Sequence, residues 1–189
     1  MLKNTAIPIV GFAAFSGVGK TTLLVKLVTA LRRSGYRVGV VKHAHHSFDI
    51  DVPGKDSYEL RKAGAIQTLV GSRHRWALVV ETEPAQEPCL EELLHHLDQS
   101  SLDFILVEGF KAEQFPKIEL HRPSLGHPLL YPDDSSIIAI ASDAPLAVKT
   151  SLPRLDLNRP EEISEFIVGF LDKSAGKPVH ASNNPKRNL

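Results

Sequence analysis

Each shortage in this chain removes a class of protein. There is one cysteine, Cys89, in 189 residues. No disulfide can form within the chain, which fits a reducing compartment and excludes a disulfide-stapled scaffold. Neither charge is in excess, since Lys+Arg and Asp+Glu are each 22. A protein whose main partner is nucleic acid or an anionic membrane carries a basic surplus, and none exists here. The sequence nowhere reaches the run of about 18 apolar residues that a membrane-spanning helix needs. The apolar residues 6–15, after Lys3, resemble a signal-peptide core, but a phosphate-binding motif begins inside them, so they cannot be a discarded leader. What remains, 42% hydrophobic and 23% charged, is the profile of a cytoplasmic globular protein with room for a sizeable core.

That motif is the most informative stretch. Residues 14–22 read Ala-Phe-Ser-Gly-Val-Gly-Lys-Thr-Thr. This is the phosphate loop G-x-x-x-x-G-K-[ST], with Ala14 for the first glycine. Gly17 and Gly19 allow backbone conformations closed to other residues. Successive N–H groups of Ser16, Gly17, Val18 and Gly19 can then form an anion nest, reinforced by the positive end of the next helix at Lys20, Thr21 and Thr22. Lys20 supplies a point charge to the β- and γ-phosphates, and the Thr21 hydroxyl is placed to ligate Mg²⁺. The context fits: an apolar, partly β-branched run over residues 7–12 precedes the loop. Leu24, Leu27, Val28 and Leu31 follow at i, i+3, i+4 and i+7, a single helical stripe.

Further along, Ser34-Gly35 stops the first helix, and residues 37–43 read as a buried strand. Residues 43–55 are polar and aperiodic and end in a Pro-Gly turn. Asp56-Ser57-Tyr58-Glu59 reads as a capping box opening a short helix to about Ala63. Residues 66–70 and 76–81 are strand-like and close enough for a hairpin, which is unusual inside a βα repeat and marks an inserted or edge feature. Leu90, Leu93, Leu94 and Leu97 form a second helical stripe, and residues 103–108 an apolar strand between two carboxylates. Residues 117–121 and 136–141 are further strands. Pro160, Glu161 and Glu162 open a last helix bearing Ile163, Phe166, Ile167, Phe170 and Leu171. The expected fold is α/β, a P-loop NTPase-type three-layer sandwich with a mainly parallel sheet and an inserted or edge β-hairpin. One nucleotide-binding domain is expected over residues 1–172, with a disordered polar tail at 173–189.

A phosphate loop needs a metal-holding carboxylate at the end of a second buried strand. Ligands in open α/β sheets lie at the carboxyl ends of strands, which favours Glu108 over Asp103. Thr21 and Glu108 are therefore the candidate Mg²⁺ pair, and the Gly109 N–H a candidate contact for the γ-phosphate. No Asn-Lys-x-Asp guanine motif is present. Asp143, after the strand at 137–141, is a candidate guanine reader, although a turn cap before Pro145 explains it equally well. Asn158-Arg159-Pro160-Glu161 resembles the guanine motif only faintly and reads better as a helix start. Residues 43–51 hold three histidines and two aspartates. They make a solvated loop or a mobile switch beside the γ-phosphate, with a zinc site a weaker third reading. Asp49 and Asp51 are the catalytic candidates there, and neither is assigned firmly.

Four segments in order, FAAFSGVGKTTLL (12–24), VVKHAHHSFDIDVPGKDSYELRKAGA (40–65), ILVEGFK (105–111) and AIASDAPL (139–146), resemble the molybdopterin-guanine dinucleotide biosynthesis protein B (MobB) family. The resemblance covers most of the chain except the tail. It implies a cytoplasmic, homodimeric, GTP-binding protein with weak GTPase activity and Mg²⁺ as cofactor. It further implies an adapter role beside the guanylyltransferase MobA in molybdenum cofactor biosynthesis, with molybdopterin as a candidate ligand. Phe15 stands where MinD-related deviant-loop ATPases carry lysine. The rival readings are a P-loop small-molecule kinase and a non-catalytic module in which nucleotide only locks a shape.

Overall fold

The computed structural model describes residues 5–44 and 48–175. The chain forms two compact units, Met1–His43 with Leu90–Leu189, and Ala44–Cys89. The second of these lies inside the span 1–172 that the sequence suggests as one domain.

In the first unit the chain runs β1 (Ile9–Ala13), α1 (Lys20–Arg33) and β2 (Val38–Lys42). The second unit contributes α2 (Asp56–Lys62), β3 (Gln67–Gly71) and β4 (Trp76–Val80). The first unit resumes with α3 (Leu90–His95), β5 (Phe104–Glu108), β6 (Lys117–His121), β7 (Ile137–Ser142), β8 (Arg154–Asp156) and α4 (Pro160–Ala175). Its six strands lie in the order β2-β5-β1-β6-β7-β8, and every neighbouring pair is parallel. This is the expected α/β architecture.

Alternation along the central strands builds the layers. Successive strand side chains point to opposite faces. Val10, Phe12, Phe104 and Leu106 meet Leu24, Leu27 and Leu31 of α1 and Ile163, Ile167 and Leu171 of α4. Ile9, Ile105 and Val107 face the other way, against Leu90 and Leu94 of α3. Each such leucine stabilises the unit by about 1.5–3 kcal/mol through burial. The helical stripes of the sequence are thus core faces.

Three details differ from the sequence reading. The strand expected to be buried, β2, is the sheet edge: Val41 packs inward while Val40 is 46% exposed. An apolar run alone cannot tell an edge strand from a central one. The cap of α2 is Lys55 rather than Asp56, which is already helical. Glu59 still closes the turn, its Oε1 accepting from the Gly54 N–H at 3.2 Å, while Asp56 favours the positive helix end. β8 is three residues long, too short for a periodic signal. Helix α4 runs to Ala175, and the rest of the expected tail lies outside the described residues.

The second unit contains the expected hairpin, with Leu69 opposite Leu78 and Val70 opposite Ala77. Arg61 on α2 donates to Glu81 at 2.8 Å and is also bound to Asp49. The unit exposes many apolar side chains, among them Leu69, Trp76, Leu78 and Val80.

Candidate functional site

Because the sheet is parallel, its strands deliver their following loops to one edge. That edge gathers the phosphate loop after β1, Glu108-Gly109-Phe110-Lys111 after β5, Arg122 after β6, Asp143 after β7 and Asn158 after β8. The loop itself is shaped by its glycines. Gly17 has φ +80° and Gly19 +98°, and Gly19 caps α1 in the left-handed region. Any other residue there would be strained. Val18 is buried, whereas Ser16, Gly17, Gly19, Thr21 and Thr22 are exposed and Lys20 is half-buried.

Lys20 Nζ donates to the carbonyl oxygens of Phe15 at 3.1 Å and Ala14 at 3.4 Å. Burial depresses its pKa, the ammonium groups of Lys111 and Lys42 press it further down, and Glu108 acts in the opposite direction. Three lysines therefore converge on one loop, a strongly attractive environment for a polyanion. Lys111 also lies over the Phe15 ring, 5.5 Å from its centroid. The same ring stacks with His127, centroid to centroid at 4.5 Å. An aromatic residue at this variable loop position ties the loop to the β6–β7 connection.

Glu108 ends β5, is 9% exposed, and lies 3.5 Å from Lys42 Nζ. The next residue, Gly109, has φ +97°, and a Cβ there would come within 2.6 Å of His43 Cβ. Glycine is required on both counts. It lets the His43 N–H donate to the Glu108 carbonyl at 2.8 Å and the His43 ring stack on Phe110 at 4.8 Å. The oxygen donors of Thr21 and Glu108 suit Mg²⁺, which takes one or two protein ligands and completes its shell with phosphate oxygens and water. Among the described residues, no three His, Cys, Asp or Glu side chains cluster as a metal cage would require. His45 and His46, part of the weaker zinc reading, lie outside the described residues.

Asp143 is bound by Arg122, whose Nη1 lies 2.5 Å from Asp143 Oδ2. The Arg122 Nε donates to the Val18 carbonyl at 2.8 Å, so this one side chain bridges the phosphate loop and the β7 end. Asp49 and Asp51 belong to the second unit, where Arg61 binds Asp49. The Asp51 N–H donates to Asp49 Oδ1 at 3.3 Å. Sequence reasoning missed Arg122 and Lys111 as candidate site residues and set Asn158 aside as part of a helix start. A signal existed for the first two, since each follows a strand at its carboxyl end. Asn158 was masked by its second role beside the start of α4, where its N–H donates to Asp156 Oδ1 at 2.8 Å.

The β1–loop–α1 unit, the parallel sheet and the lysine at the loop define an α/β protein of the P-loop fold class. Within that class the chain belongs to the family described as molybdopterin guanine dinucleotide synthesis protein B, whose sequence profile matches residues 9–143. It is 51% identical to the molybdopterin-guanine dinucleotide biosynthesis adapter protein of Escherichia coli (strain K12), over 93% of this chain and 100% of that one. It is 41% identical to the adapter protein of Haemophilus influenzae, over 90% and 93%. Among solved structures, the MobB homolog from Bacillus stearothermophilus matches with TM-score 0.62 and 26% identity, covering 87% of this chain and 98% of that one. Bacillus subtilis MobB matches in fold with TM-score 0.68 at 24% identity, over 87% and 98%.

Proposed function

We propose that this chain is a cytoplasmic GTP-binding adapter of molybdopterin guanine dinucleotide biosynthesis, a slow GTPase on its own that works beside the guanylyltransferase MobA. The observation that carries the nucleotide part is the convergence of Lys20, Lys111 and Lys42 on a glycine-shaped loop at the carboxyl edge of a parallel sheet. The adapter part rests on the family and on the 51% identical relative.

In this reading the backbone N–H groups of residues 16–20 and the Lys20 ammonium bind the phosphates, with the Gly109 N–H as a further donor near the γ-phosphate. Lys20 exchanges its bonds to the Phe15 and Ala14 carbonyls for phosphate oxygens. Thr21 and Glu108 would hold Mg²⁺, which supplies charge neutralisation along the β- and γ-phosphates. Fast hydrolysis also needs a positioned water. Asp49 and Asp51 remain the candidates for that task, and their pairing within the second unit favours a slow intrinsic rate. The exposed apolar face of the β3–β4 hairpin supports a homodimer, because a two-stranded hairpin is barely stable in water without something covering it.

The test is calorimetry of the purified chain with GTP, GDP and ATP, with and without Mg²⁺, followed by GTP turnover with added MobA and molybdopterin. Magnesium-dependent GTP binding, with low turnover by the chain alone, is expected. Phosphorylation of a small acceptor would favour the kinase reading.

A further inference from the structure

Ile118 and Leu120 of β6 enter the core with α1 and α4, whereas the alternate residues Lys117 and Glu119 use the opposite face to bind a loop. That loop is the connection from β6 to β7, residues 122–136. It is tied down at two points: Glu119 accepts from the Leu130 and Tyr131 N–H groups, and Lys117 Nζ donates to Asp134 Oδ2 at 2.9 Å. The same Nζ donates to the Lys111 carbonyl at 2.8 Å, in the loop that follows β5. A fully buried ammonium therefore holds two loops at once. Both loops return to one ring of the phosphate loop. His127 stacks on Phe15, 4.5 Å between centroids, and Lys111 Nζ lies 5.5 Å from the same centroid. The Phe15 carbonyl in turn accepts from Lys20 at 3.1 Å. Burying an ammonium is costly, and a well-packed apolar side chain of similar volume is often as stable, so what Lys117 supplies is position.

We propose that the β6–β7 connection is a clamp that preorganises the phosphate loop, with His127 and Lys117 as positioning residues that act through Phe15; this rests on the nucleotide reading above. A nest of backbone N–H groups binds phosphate well only when those groups already converge, because ordering a free loop costs conformational entropy. Lys20 must leave the Phe15 carbonyl when phosphate arrives, and its departure removes a bond that closes the loop. The His127 ring keeps Phe15 in place at that step. Lys117 keeps His127 and Lys111 in register with each other, since it holds the loops that carry both. Neither His127 nor Lys117 needs to reach the nucleotide.

The experiment pairs calorimetry of the full chain with Mg²⁺ and GTP with hydrogen exchange of the nucleotide-free chain. Wild type, His127→Ala, His127→Phe, Phe15→Ala, the Phe15→Ala/His127→Ala double variant and Lys117→Met are compared. His127 is exposed, so its replacement does not threaten the core. In His127→Ala, GTP affinity should fall about fivefold, the scale of one aromatic pair, and amides 15–19 should exchange faster while those of β1 do not. His127→Phe, which keeps a ring, should restore both. Adding His127→Ala to Phe15→Ala should cost nothing further, because the pair is already broken. Lys117→Met should loosen amides 15–19 and weaken GTP binding in the same way; general destabilisation would instead speed exchange in β1 and β6 as well. Wild-type GTP affinity in His127→Ala, a loss that His127→Phe does not recover, or full additivity in the double variant would overturn the proposal and leave the nucleotide reading standing. Wild-type protein that binds no GTP sinks both together.

Discussion

Lys20 Nζ donates to the Phe15 carbonyl 3.1 Å away, so the phosphate loop of the free protein is closed by its own lysine. Burial, Lys111 and Lys42 together hold that ammonium below the ordinary lysine pKa. A bound triphosphate reverses the effect, because its negative charge favours the protonated form. Nucleotide binding should therefore take up protons on the alkaline side, and affinity should fall as pH rises through the free-state pKa of Lys20. Calorimetry in buffers of different ionisation enthalpy checks this. Lys20→Ala should bind GTP at least a hundredfold more weakly, show no such proton uptake and keep its fold.

Lys117 on β6 is fully buried, yet it bonds Asp134 at 2.9 Å and the Lys111 carbonyl at 2.8 Å. Asp134 is also held by Ser136, through its N–H at 3.0 Å and its hydroxyl at 2.5 Å. Removing one partner of such a pair strands the other. Asp134→Ala should cost about 3–5 kcal/mol, because it leaves a buried ammonium. Lys117→Met should cost less, since Asp134 keeps the Ser136 bonds and some solvent contact. Urea unfolding of both variants gives the order.

Glu119, two residues further along the same strand, accepts from the Leu130 and Tyr131 N–H groups at 2.7 and 2.9 Å. Its pKa is raised, because burial outweighs those bonds. For a carboxyl with a raised folded pKa, the native state binds more protons than the unfolded chain. Stability should therefore decline as pH rises from the ordinary glutamate pKa to that of folded Glu119, then level off. Glu119→Gln should lack that decline in chemical denaturation at a series of pH values. It should also loosen the β6–β7 connection, which carries His127 to Phe15.

On the hairpin, Leu69 is 68% exposed and sits opposite Leu78. Covering that face with a second copy would remove it from water at about 25 cal/mol per Å². Leu69→Glu with Leu78→Glu should shift the chain to monomer in sedimentation while leaving GTP binding by the isolated chain intact. A dimer that persists in this double variant would place the interface elsewhere.

The phosphate loop and α1 were legible from sequence because their constraints are local. Gly17 and Gly19 are needed for backbone angles, Lys20 for charge, and Leu24, Leu27 and Leu31 for a helical stripe, all within one β–loop–α unit. Glu108 stood out as a candidate because it ends an apolar run, and strand ends are where parallel sheets present ligands. The order of the strands could not be read this way, since it depends on pairings between residues far apart in the chain. That order placed β2 at the edge, where its apolar run suggested the interior. It also brought Arg122 onto Val18 and Asp143, a meeting across 104 and 21 positions that no local pattern encodes. Sequence by itself determined which loop carries the phosphate-binding motif and the family to which the chain belongs. Tertiary structure alone decided which distant side chains surround that loop, because parallel β-strands are joined by long crossovers and their ends meet only when the sheet is assembled.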